Sequence, residues 1–109
     1  MRLGVATLLL TLSALSLASC YADRYQWNLT HASVTASPPL SRHDVEEITR
    51  LVTRTTLSPM NSIVALPDVR GRQQVSVIAS ESTGPLDEFM LEKVGTKWQI
   101  TSREQSWDR

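Results

Sequence analysis

The chain has 109 residues, 41% of them hydrophobic and 20% charged, and its eleven basic and eleven acidic side chains leave no net charge. That length suits one small domain and is too short for two, and a neutral chain with no basic stripe is a poor candidate for nucleic-acid binding. A single cysteine, Cys20, leaves no internal disulfide to form.

Residues 1–19 carry the marks of a secretory signal. Arg2 gives a positive start, Leu3 to Leu17 is apolar apart from small hydroxyl residues, and small residues lead to Cys20. The apolar stretch falls short of the roughly 20 residues that comfortably cross a bilayer, so a cleaved signal is expected rather than a permanent span. Leu17-Ala18-Ser19-Cys20 resembles the lipobox of bacterial lipoproteins, an apolar residue and two small ones before a cysteine. The resemblance implies cleavage before Cys20, a diacylglycerol thioether on its sulfur and N-acylation of the new terminus. An unpaired exported thiol is a liability that lipidation removes, and several acyl chains at about 0.8 kcal/mol per buried methylene hold far more firmly than one. Tyr21 stands where aspartate commonly retains lipoproteins of two-membrane bacteria in the inner membrane, with Asp23 two places further on. The resemblance therefore implies an outer-membrane, periplasm-facing location, or the plasma membrane in a cell with one membrane.

Removing Arg2 with the signal leaves ten basic residues against eleven acidic ones. Residues 20–36 read as a lipidated N-terminus followed by an extended arm or first strand, because Tyr25, Trp27, Leu29 and His31 repeat with period two. The remainder, 37–109, reads as one helix-plus-sheet domain. Pro38-Pro39 breaks the chain. Ser41 and Asp44 then form a capping-box-like helix start, with Glu46 and Glu47 adding negative charge to the first turns. Val45, Ile48, Leu51 and Val52 share a face that Thr55 extends, Glu46 and Arg50 are spaced to pair, and Ser58-Pro59 ends the helix. Antiparallel strands follow. Ser62 to Leu66 is stopped by Pro67, a turn contains Gly71, and Gln73 to Ser80 puts Val75, Val77 and Ala79 on one face. After Ser82-Thr83-Gly84-Pro85, Glu88 to Val94 groups Phe89 with Leu91, and Gly95-Thr96 closes a hairpin onto Lys97 to Ser102, with Trp98 and Ile100 inward.

The final hairpin, Phe89 to Ile100, resembles that of cystatin-like and NTF2-like domains, where an apolar-Glu-Lys strand turns through glycine into a Trp-x-Ile/Val strand. The chain has room for little helix, so the cystatin-like layout fits better. The implied fold is α+β, one helix packed on a curved four- to five-stranded antiparallel sheet. No QxVxG-type loop is present, and no functional residue carries over from either group.

His31 and His43 are the only histidines, and two histidines with one lipidated cysteine do not make a metal site. Ser41-Arg42-His43-Asp44 contains catalytic residue types, but neighbours at a helix start point in different directions, and capping accounts for Ser41 and Asp44. No catalytic residue and no cofactor is expected, and the chain reads as a non-enzyme. Asp87-Glu88 and Arg70-x-Arg72 read as solvated turn charges, and Trp98 and Phe89 as core. Trp27 and Trp107 read foremost as core, Trp107 capping its open end. Being near the ends of the mature chain, they are also the candidate partner-binding residues and suit the lipid headgroup level. The expected function is a membrane-anchored envelope lipoprotein that binds a protein partner. The alternatives are a small-ligand pocket in the concave sheet face, with Ala79 and Ser102 as inward candidates, or an inhibitor of an envelope hydrolase.

Overall fold

The computed structural model describes residues 20–107 and shows an α+β domain with two helices and a five-stranded mixed sheet. Residues 20–31 form α1, followed by β1 (Ser33–Thr35), α2 (Arg42–Thr55), β2 (Met60–Val69), β3 (Arg72–Ser80), β4 (Leu86–Val94) and β5 (Lys97–Ser106). The strands lie in the order β1-β2-β3-β4-β5. The proposed signal segment and Leu17, Ala18 and Ser19 fall outside the described residues.

The first correction is at α1, read from the sequence as an extended arm or strand. Its alternating aromatic residues also satisfy a helical period, and the helix brings Tyr21 onto Tyr25 and Trp27 onto His31, each pair one turn apart. Asn28 decides the matter. Its Nδ2 donates to Thr53 Oγ1 (2.9 Å) and its Oδ1 accepts from the Met60 N–H (3.0 Å), so one buried amide joins α1, α2 and β2. A strand over these residues would leave that buried amide to find other partners.

The second correction is the sheet, which is not wholly antiparallel. β1 pairs with β2 in parallel, Ser33 opposite Ser62 and Thr35 opposite Val64, because α2 carries the chain back before β2 begins. The remaining pairs are antiparallel, as expected. Pro67 does not stop β2. It sits in the irregular register between Leu66 and Val69, past the short reach of β1, where a missing N–H costs no ladder bond on that side. The β2–β3 hairpin turns through Arg70 and Gly71, both at positive φ (55° and 75°), which suits a type I′ turn. Gly95, at φ 64°, opens the β4–β5 turn.

Helix α2 begins where Ser41 accepts the Asp44 N–H at 3.1 Å. It lays Ile48 and Val52 on the alternating inward residues of the sheet: Met60, Ile63, Val75, Val77, Ala79, Phe89, Leu91 and Trp98. Val45, Leu51 and Ile100 pack at the margin. Thr55 is exposed rather than part of the buried face; Thr49 and Thr53 are buried instead, their hydroxyls donating to the Val45 and Thr49 carbonyls. Glu46 pairs with Arg42 at 2.9 Å instead of with Arg50 as its spacing had suggested.

Candidate functional site

Three polar or mixed clusters stand out on this scaffold. The first lies where α1 meets the end of α2. Arg24 on α1 donates through Nη1 to the carbonyls of Thr53 (3.1 Å) and Thr56 (3.2 Å), satisfying acceptors that the end of α2 leaves open. With Asn28 one turn later, this fixes α1 to the domain at two points. Around the two side chains lie Trp27, Leu57, Ser58 and Pro59, forming a recess of about 80 Å³. Trp27 is 45% exposed and Leu57 76% exposed. Cys20, on the same helix, is exposed with a free thiol.

The second cluster is at the opposite end of α2. Asp44 is buried, and its Oδ1 accepts from Trp98 Nε1 (2.9 Å) and Lys93 Nζ (3.0 Å). Burial alone would raise the pKa of this carboxyl. The hydrogen bonds from Trp98, Lys93 and Ser41 and the Lys93 charge outweigh it, holding Asp44 below its ordinary 3.8. Glu47 Oε1 accepts the Trp98 backbone N–H at 2.9 Å. Its other oxygen stands 3.7 Å from His43 Nε2. Within the Ser41-Arg42-His43-Asp44 run, Ser41 caps α2, His43 faces Glu47, and Asp44 fastens α2 to the last hairpin.

The third cluster corrects the reading of Asp87 as a solvated turn charge. Only 1% exposed, it takes Arg103 Nε and Nη2 on its two oxygens (3.2 and 3.3 Å) and the Thr56 hydroxyl on Oδ2 (3.2 Å). The Arg103 guanidinium lies 5.2 Å from the Phe89 ring centroid, a cation–π distance. Neither partner of Asp87 is near it in sequence: the β4–β5 register brings Arg103 to it, and the packing of the end of α2 brings Thr56.

Trp98 and Phe89 are core, but Trp27 and Trp107 are not; Trp107 is 76% exposed and does not cap the core. Ala79 is buried on the helix-covered face, whereas exposed Ser102 pairs with Met90 on the other face, so the two do not line one pocket. Recesses of about 390 and 250 Å³ lie beside the hairpin turns, lined by Arg70, Arg72, Glu92 and Lys93 among others. These are polar surfaces rather than the mostly apolar clefts that small ligands occupy. Among the described residues no three His, Cys, Asp or Glu side chains converge to hold a metal ion, and no helix is long and apolar enough to cross a membrane.

No family model matches the chain, and neither a curated protein nor a solved structure matches it. The assignment of function rests on the molecule's own geometry.

Proposed function

We propose that the protein is a lipid-anchored envelope protein that acts as a non-enzymatic binding module, holding an extended segment of a partner along β5. The observation that carries this reading is the open edge. β5 ends the sheet, spans Lys97–Ser106, and is exposed from Thr101 onward. An edge strand offers a row of N–H and C=O groups that a partner strand completes, with main-chain bonds giving affinity and side chains giving selectivity. Lys97 and Glu104 guard the edge against indiscriminate pairing. The lipobox-like Leu17-Ala18-Ser19-Cys20 supplies the anchor, and exposed Cys20 leaves its sulfur free for acylation. The layout of α2 across a sheet that ends in the Trp98 hairpin is in keeping with a cystatin-like arrangement, to which α1 and the parallel β1 are additions.

Photo-crosslinking in intact envelopes tests the reading, with the crosslinker placed at Gln99 or Glu104 on β5 and at Arg70 in the far turn. Capture of one partner from the β5 positions only, mapping to an extended segment of that partner, is the expected result. Capture from none of them, or equally from Arg70, overturns it.

A further inference from the structure

The register of the sheet shows that its two ends differ. At one end lie the Arg70-Gly71 and Gly95-Thr96 turns, with Arg72 paired to Glu92 beside them. At the other end Met60 opens β2 opposite Ala79, and Leu86 opens β4 opposite Ser80 and Ser106. Trp107 follows Ser106 directly and so leaves the sheet at this second end. The last turn of α2 is there too, since Thr56 reaches Asp87, and Leu57 comes next. α1 docks at the same place through Arg24 and Asn28.

Of the exposed large hydrophobic side chains among the described residues, Trp27, Leu57 and Trp107 all belong to this end. The others are valines, two along β1 and β2 and two beside the far turns. We propose that this end is a second contact with lipid: Trp27, Leu57 and Trp107 seat in the headgroup layer of the same bilayer that holds the acyl chains of Cys20. The inference rests on the lipid-anchor reading above and extends it to the surface of the folded domain.

The geometry of α1 argues for lipid as the occupant. Seven residues of helix make about two turns, so Cys20 and Trp27 share one stripe roughly 10 Å apart. Cys20 lies one turn before Arg24 and Asn28 one turn after it, so the acylation position continues the row through which α1 docks. The headgroup region is about 5–7 Å deep on each side of the hydrocarbon. With α1 fastened at Arg24 and Asn28 and laid along the bilayer surface, acyl chains leaving Cys20 hold Trp27 and neighbouring Leu57 at that depth. Tryptophan favours that layer, where its ring is partly apolar and its N–H stays wet. A protein partner at this end would have to displace the lipid around the anchor.

The test uses the mature protein, purified from envelopes with its lipid. It is reconstituted into phosphatidylethanolamine–phosphatidylglycerol vesicles whose acyl chains are either ordinary or brominated near the headgroup. Labelling with radioactive palmitate, compared with Cys20→Ala, reports separately whether the anchor is present. In a Trp107→Phe background, the emission that disappears on also making Trp27→Phe belongs to Trp27, and buried Trp98 serves as the internal reference. The expected result is loss of most Trp27 emission in brominated vesicles, diminished by Leu57→Asp, with Trp98 emission unchanged as the check on folding. Equal Trp27 emission in both vesicles, with palmitate present on Cys20, overturns the lipid contact while leaving the anchor standing. Shielding of Trp27 from a water-soluble quencher that appears only after envelope proteins are added also overturns it, and assigns the patch to a protein. Absence of palmitate from Cys20 overturns the anchor and this contact with it.

Discussion

Asp44 concentrates several tasks in one side chain: its N–H receives the cap from Ser41, and its carboxylate takes the Trp98 indole and the Lys93 ammonium. Because the folded carboxyl titrates below its ordinary value, the native state favours the ionised form. Its contribution is whole above about pH 4, the unfolded value, and is lost as pH falls through the lower native value. Asp44→Asn should therefore cost about 1–3 kcal/mol at neutral pH, and the gap from wild type should narrow below about pH 4. Urea titrations at the two pH values measure it; a gap that widens in acid would contradict the assignment. Gly71 makes a smaller claim. At φ 75° with open space around it, the only obstacle to a side chain is the backbone, so Gly71→Ala should destabilise by about 1–2 kcal/mol, read as a shift in the denaturant midpoint.

At the scale of elements, α1 is fastened by the side-chain bonds of Arg24 and Asn28, so its attachment is open to single changes. Asn28→Ala leaves the Met60 N–H without its acceptor in a buried site and removes a donor to Thr53, a loss of about 2–3 kcal/mol. Amide hydrogen exchange should rise across α1 and at the start of β2 while the β3–β4 ladder stays protected; uniform exchange would mean that α1 folds with the sheet as one unit. The same element shows where the sequence stopped being readable. The α2 start was legible because Ser41 and its N–H partner are three residues apart, and the hairpins because Gly71 and Gly95 carry their own turn chemistry. α1 was not, since a dozen residues with alternating aromatics fit both periods and the deciding partners, Thr53 and Met60, are remote in sequence. β1 looked antiparallel for want of any local sign that α2 returns the chain to run beside it. The grouping of Trp27 with Leu57 needed the Arg24 bridge between helices.

Over the whole molecule, the fold depends on the last strand more than its polar composition suggests. Arg103 is the charged partner of buried Asp87, and Leu86 pairs with Ser106. A chain ending at Ser102 would keep Trp98 and Ile100 yet leave the buried Asp87 carboxylate with Thr56 alone, its exposed arginine partner gone, at a cost of about 1–3 kcal/mol. That is a large share of the stability of a small domain. The truncated chain is expected to lose cooperative thermal unfolding by circular dichroism; a sharp transition near that of the full chain would show the carboxylate is otherwise accommodated. The Arg24 bridge matters on this scale as well. On the proposed anchor at Cys20, most of what slack gives a tethered protein would be withheld, because α1 is fastened to the domain through Arg24 and Asn28. On the same proposal, the reach of the domain would be the length of its own strands, about 30 Å for nine or ten residues, and a partner for β5 would have to come down to the membrane to be met.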